Sequence, residues 1–376
     1  MNQPPVGDDF EVINLTISPD RVLEQYHAYG STTFPRSLVD TLRFTSRGTN
    51  CGGRFEVSPS GDPGADEFVV DIDVLFRAED ALDDLLVCRL HPGHGEYGIG
   101  ISTGDRPISY NHARSLNFRV HLRLPVPDIP VDAPLRIRNL STHMPLFSHY
   151  LQDLAGTAFF EGVALSTVDA PIRVESLAGD NFSFVTVNGG IHGNLLVSET
   201  IVARTKNGPI ALTAHLMSDE SRGQPTRMTL QTDNGPIQSN ISLISTAPNA
   251  TGGAFNVTAN TTNGPLTVVF QDAPVNSLLN ASLQTCNAPA RVAMHSTFEG
   301  RYELHGFAFF SPSVRVLPAQ DPTGRRRRRD LATTSSGMGV VRGYVRWQPT
   351  SAGGNGQGRE GYVTVRTTNA PLDAAF

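Results

Sequence analysis

The chain has 376 residues, 39% of them hydrophobic and 7% aromatic, with a formal net charge of −6. Its 35 glycines and 26 prolines favour many short strands and turns over long helices. Its only concentrated positive charge is one short block, Arg325 to Arg329, without interleaved aromatics, which argues against a nucleic-acid-binding face.

In chain order, residues 1–36 read as a peripheral segment with one short helix around Pro19 to Tyr26. Met1 to Asp20 holds no basic segment followed by an apolar run, so no signal peptide is expected. No apolar run reaches the roughly 18 residues of a membrane-spanning helix. Residues 37–155 read as a β region that caps or continues a solenoid, with alternation clearest at Phe68 to Phe76 and Asn117 to Val126. Pro145 to Leu154 reads as one or two helical turns.

Residues 156–376 carry a repeat. Seven copies align on a threonine: Thr167-Val-Asp-Ala-Pro-Ile172, Thr186-Val-Asn-Gly-Gly-Ile191, Thr205-Lys-Asn-Gly-Pro-Ile210, Thr232-Asp-Asn-Gly-Pro-Ile237, Thr261-Thr-Asn-Gly-Pro-Leu266, Thr285-Cys-Asn-Ala-Pro-Ala290 and Thr367-Thr-Asn-Ala-Pro-Leu372. Degenerate copies precede them at Thr103 to Ile108 and Thr142 to Leu146. Successive threonines lie 19, 19, 27, 29, 24 and 82 residues apart, the spacing of stacked repeat units. Apolar residues alternate on both flanks, as in Met228 and Leu230 before Thr232, or Leu266, Val268 and Phe270 after Thr261. Each copy is therefore a tight corner between two half-buried strands. Proline withholds an N–H and suits a corner, and a small residue before it tolerates unusual φ. Parity with the flanking apolar residues points both the threonine and the asparagine inward, so the asparagines are expected to stack as a buried ladder on neighbouring backbone. The fold expected is all-β, an elongated parallel β-solenoid with little helix.

The seventh copy follows an insertion, residues 291–361, with strands at Arg301 to Phe310 and Val340 to Trp347 around the arginine block. The block reads as a solvated loop. Outward positions beside the corners, among them Thr229, Thr258, Ser282 and Thr364, are small and uncharged, a face suited to glycans, other strands or nothing; with only Thr229, Thr258 and Thr364 recurring, the threonines read as too sparse for a regular ice- or glycan-binding array.

Three cysteines, Cys51, Cys88 and Cys286, are odd in number and too widely spaced for a disulfide framework or a zinc site, and nothing in the sequence supports a Cys51–Cys88 bridge. Sequons stand at Asn14, Asn139, Asn181, Asn240, Asn249, Asn256, Asn260 and Asn280, and their excess hints at a secretory or cell-surface history.

Catalytic candidates are weak. Gly100-Ile-Ser-Thr-Gly104 matches a nucleophile elbow, but Gly-Asp-Arg-Pro follows it where a helix is required. Asp83 and Asp84, followed by Gly93-His94-Gly95, loosely match the carboxylates of polygalacturonases, which would need one acid and one base. His91, His94 and Glu96 offer metal-ligand chemistry on a Gly-rich turn with no second cluster. The bland reading, exposed loop residues, is preferred for each. No catalytic, cofactor-binding or metal residue is assigned, and no enzyme is expected.

Val87-Cys-Arg-Leu-His-Pro-Gly-His-Gly-Glu96, Pro145-Leu-Phe-Ser-His149 with Asp153-Leu154, Phe298-Glu-Gly-Arg-Tyr-Glu-Leu304, Gly343-Tyr-Val-Arg-Trp347 and the Asn-Gly/Ala-Pro series together resemble a family. It comprises uncharacterised adhesin-like proteins of basidiomycete fungi, related to bacterial adhesin domains. The resemblance covers most of the chain from about residue 40 and implies a β-solenoid with no assigned activity. The expected function is therefore structural or adhesive, with a glycan or a cell-surface protein as partner, no nucleic acid, and membrane association only through an anchor outside this chain. The alternative is a carbohydrate-active β-helix enzyme.

Overall fold

The computed structural model describes residues 10–20, 25–49, 51–104, 115–126, 134–307, 311–348 and 360–376. Among them there are 27 strands and no α-helix. None of the described helices is long and apolar enough to cross a membrane. The chain divides into two compact units, residues 1–179 with 183–189, and residues 180–182 with 190–376.

The strands of the first region, in chain order, are β1 Phe10–Val12, β2 Thr16–Asp20, β3 Gln25–Pro35, β4 Thr41–Arg47, β5 Cys51–Pro63, β6 Glu67–Phe76 and β7 Leu86–Gly93. They continue with β8 Glu96–Ser102, β9 Leu116–Val126, β10 Leu135–His143, β11 Leu146–Asp153, β12 Ala158–Ser166 and β13 Ile172–Val185. Each solenoid coil contributes one strand to each of two parallel stacks. One stack runs β8-β4-β10-β12 and the other β9-β5-β11-β13. Antiparallel strands close the end of the stacks, β7 on β8 with β1 outside it, and β6 on β9 with β3 and β2 outside it. The alternating apolar residues fill the space between the stacks, where the Phe44 and Phe55 rings meet at 4.7 Å.

Two helical expectations fail here. Pro19 and Tyr26 are paired antiparallel residues of a β-hairpin, because Tyr26 onward alternates and finds β6 as a partner; residues 21–24 lie outside the described residues. The stretch Pro145 to Leu154 instead holds β11, Leu146–Asp153, wedged between β5 and β13, where neighbouring strands outweigh local preference.

The second region holds β14 Ile191–Arg204, β15 Ile210–Ser218, β16 Thr226–Gln231, β17 Ile237–Ser245, β18 Ala254–Asn260, β19 Leu266–Asp272 and β20 Leu278–Gln284. There follow β21 Ala290–Ala293, β22 Gly300–His305, β23 Ser313–Arg315, β24 Arg329–Gly337, β25 Val340–Trp347, β26 Gly361–Arg366 and β27 Leu372–Ala375. One stack runs β14-β16-β18-β20-β26-β22 and ends in the antiparallel hairpin β25-β24. The other runs β14-β15-β17-β19-β21-β27-β23. The two strands expected in the insertion, β22 and β25, do pair antiparallel, but part of the expected loop between them is itself a strand, β24, which hairpins onto β25; residues 308–310 of the expected first strand lie outside the described residues.

The chain does not stack in sequence order. After β21 it skips one level, builds β22 and β23, and returns so that β26 and β27 fill the vacant level. The seventh copy is thus an interior coil and not the last, which accounts for its long separation from the sixth. The first region does the same, with β4 and β5 lying between the later coils β8/β9 and β10/β11.

Candidate functional site

The corners are built differently from the parity expectation. Thr186, Thr205, Thr232, Thr261, Thr285 and Thr367 are buried, whereas Asn207, Asn234, Asn263, Asn287 and Asn369 are exposed. The chain bends between the two residues, so strand alternation does not carry through the corner. The threonine hydroxyls make the buried backbone contacts. Thr232 Oγ1 donates to Gly208 O at 3.1 Å, Thr261 Oγ1 to Gly235 O at 3.0 Å and Thr285 Oγ1 to Gly264 O at 3.0 Å.

The asparagine ladder exists, but it runs along the surface from side chain to side chain. Asn234 Nδ2 donates to Asn207 Oδ1, Asn263 to Asn234 and Asn287 to Asn263, each at 2.7 Å, and Asn369 to Asn287 at 2.6 Å. The asparagine backbone N–H groups bond one coil back as well, Asn234 to Lys206 O and Asn263 to Asp233 O at 2.9 Å. Glycine at the corner is required by close approach and not by φ. A Cβ on Gly235 would stand 1.8 Å from Gly208 O, and one on Gly264 1.8 Å from Gly235 O.

The catalytic candidates do not assemble. Asp83 and Asp84 lie in a turn, with Asp84 beside Gly104, while exposed His94 tips the β7–β8 hairpin. In that hairpin His91 Nδ1 bonds Glu96 O at 3.0 Å, the His91 and Tyr97 rings lie 4.5 Å apart and tilted, and Glu96 pairs with Arg43 at 3.8 Å. Among the described residues no group of three His, Cys, Asp or Glu side chains is placed to hold a metal ion. Gly100 to Ser102 end β8, and the helix an elbow would need falls at residues 105–114, outside the described residues.

Cys51, Cys88 and Cys286 are all free thiols, so Cys51 and Cys88 do not pair. Burial pushes the Cys51 thiol up to about 12 and raises that of Cys88.

The arginine block is only partly solvated. Arg325, Arg326 and Arg328 are exposed. Arg327 chelates Asp321 at 3.0 and 3.2 Å, and the Arg327 and Arg329 guanidinium groups both lie 5.7 Å from the Trp347 ring. Burial would raise the Asp321 carboxyl, but the bonds from Arg327 and Thr323 outweigh it and hold the group far below the usual range.

Two polar clusters escaped the sequence pattern because their members come from distant strands. In the first region Ser31, Asp71, His121, Glu56 and Tyr150 form one cross-strand row. Glu56 is 5% exposed and accepts from Gln152 at 2.9 Å and Arg119 at 3.1 Å. Burial alone would raise its carboxyl, yet Gln152, Arg54 and Arg119 together lower it. Burial lowers His121, whose Nε2 meets Ser58 Oγ at 2.8 Å. In the second region Glu303 accepts from Tyr362 at 2.6 Å, Arg342 at 2.6 Å and His305 at 2.7 Å. These partners, Tyr362 first, hold its carboxyl down to about 2. Both carboxylates have their oxygens engaged within the protein, an arrangement that fixes strands and leaves little capacity for proton transfer.

The outer face of β16-β18-β20-β26 is different. Thr229, Thr258, Ser282 and Thr364 stand in register on four successive strands, about 4.8 Å apart. None of these four hydroxyls has a hydrogen-bond partner among the described residues. Rows of Gln231, Asn260 and Gln284 on one side, and Asn256, Asn280 and Tyr362 on the other, flank them. Three of the sequon asparagines, Asn256, Asn260 and Asn280, share this face.

No family model matches the chain, and no curated protein matches it significantly. Two solved structures do. One is described as a "putative cell adhesion protein" from Clostridium sporogenes, 7% identical, with a TM-score of 0.18, covering 92% of this chain and 98% of that one. The other is described as a "putative adhesin" from Bacteroides fragilis, 10% identical, with a TM-score of 0.35, covering 71% of this chain and 97% of that one. The chain is thus similar, at very low identity, to bacterial proteins so described, and nothing in these matches supports the narrower fungal family.

Proposed function

We propose that this chain is a non-catalytic, adhesin-like interaction protein that binds polyhydroxylated ligands of the glycan class on the outer face of β16-β18-β20-β26. The observation that carries this reading is the in-register row Thr229, Thr258, Ser282 and Thr364. Four unpartnered hydroxyls at strand spacing, flanked by amides that both donate and accept, match the hydrogen-bonding capacity of a sugar chain. The carboxylate at the end of the row, Glu303, is bound by Tyr362, Arg342 and His305, which suits an anchor better than a general acid.

A glycan-array screen tests it, with Thr258→Val and Ser282→Ala as face variants and Thr213→Val on the opposite stack as control. Binding should fall in the face variants and persist in the control. Absence of any glycan binding, or binding indifferent to both face variants, would reject the site. Polygalacturonate hydrolysis that disappears in Asp84→Asn and His94→Ala would instead establish the enzyme reading.

A further inference from the structure

Every corner whose asparagine precedes glycine carries a chemical liability. The Asn-Gly pair is the dipeptide most prone to deamidation, because nothing on glycine hinders its backbone nitrogen. In that reaction the glycine nitrogen bonds to the asparagine Cγ and loses its proton. The Cγ–Nδ2 bond breaks, and ammonia leaves carrying that proton. Water then opens the cyclic imide to aspartate or isoaspartate. In the conformation these corners adopt, the neighbouring coil's carbonyl leaves no room for a Cβ at Gly235 or Gly264, nor at Gly189, where it would stand 1.9 Å from Ala170 O.

The attacking atom is held elsewhere. Gly189 N–H donates to Thr186 Oγ1, Gly208 N–H to Thr205 Oγ1 and Gly235 N–H to Thr232 Oγ1, each at 3.1 Å, and Gly264 N–H to Thr261 Oγ1 at 3.2 Å. The two Asn-Ala corners differ. Thr285 and Thr367 donate to the previous coil in the same way, but neither accepts from Ala288 or Ala370. Where a threonine donates to the coil before it, the hydroxyl proton is committed there and a lone pair faces the glycine N–H. Ladder bonds on both sides of the Asn234 amide restrain the other reacting group.

We propose that the corner threonine guards the ladder: its Oγ1 sequesters the glycine N–H that would attack the asparagine before it, so the solenoid keeps its stacking glycines without losing its amides. Thr232→Val removes the acceptor at nearly constant shape, and Thr232→Ser restores it. The folded proteins are incubated at mildly alkaline pH and 37 °C, and conversion at Asn234 is followed by peptide mass mapping, with a synthetic peptide spanning residues 230–238 as reference. Wild type and Thr232→Ser should both convert at least tenfold more slowly than the peptide. Thr232→Val, shown folded by circular dichroism, should convert at least tenfold faster than wild type. A folded Thr232→Val as slow as wild type, or a wild type as fast as the peptide, overturns the proposal. If Thr232→Val does not fold, amide hydrogen exchange in the wild type decides. Gly235 and Gly264 should exchange at least tenfold more slowly than Ala288 and Ala370, and equal rates overturn it.

Discussion

Thr232 and Asn234 lie two residues apart on one corner and face opposite ways, the threonine into the core with its hydroxyl on Gly208 O, the asparagine onto the surface with its amide on Asn207. Removing the buried hydroxyl strands a carbonyl and an N–H in the interior, at roughly 1–3 kcal/mol. Removing the exposed amide forfeits two ladder bonds whose groups water can satisfy, at about 1 kcal/mol. Thr232→Val should therefore destabilise more than Asn234→Ala. Asn369, with one ladder bond, should cost less again on truncation. Denaturant midpoints of the three variants check this order, and the reverse order would return the ladder to the core.

Gly235→Ala should be among the most damaging single-methyl additions in this chain. Its Cβ meets backbone that the stacked coils hold in place, so the coil spacing itself must open. A loss of about 3 kcal/mol or more is expected by chemical denaturation. Gly156→Ala, with nothing near its added carbon, serves as the neutral control.

His149 sets an acid limit on stability. It is 1% exposed, its Nε2 is 2.7 Å from Thr142 Oγ1, and burial pushes its imidazole down to about 4. The unfolded chain takes up the proton near pH 6.5, while the folded chain does so only near pH 4. Stability from this group is therefore full above pH 6.5 and falls progressively between 6.5 and 4, by about 3 kcal/mol in total. Burial lowers His121 and His295 as well, so they contribute in the same direction. Unfolding free energy measured from pH 7 to pH 4 should lose its steepest part in His149→Gln. An unchanged slope in that variant would assign the acid sensitivity elsewhere.

The arginines of the 325–329 block should separate sharply. Arg325→Ser removes an exposed charge and should leave the unfolding midpoint where it is. Arg327→Ser leaves the Asp321 carboxylate, 3% exposed, without its chelating partner and uncovers one side of Trp347. Since Trp347 is the chain's single tryptophan, its emission should shift to the red in Arg327→Ser and not in Arg325→Ser. Identical spectra and midpoints for both would show that the block is uniformly solvated.

Corners and strands are legible in the residues alone. Alternation of apolar residues and the Thr-x-Asn-Gly-Pro spacing depend on local geometry, so β16 is legible from Met228 and Leu230 and β19 from Leu266 and Val268. Tertiary structure decided which way a corner residue faces, because the bend at Asn234 breaks the two-residue period that fixed Met228 and Leu230. It also decided the stacking order. A returning strand such as β26 pairs with β20 and β22 through backbone bonds that any sequence offers, and the 82-residue gap before Thr367 does not say which level the chain will fill. The Glu56 and Glu303 clusters follow from the same cause. Arg119 and Gln152 reach Glu56, and Tyr362 reaches Glu303, only because register brings distant strands side by side, so no local pattern could have joined them.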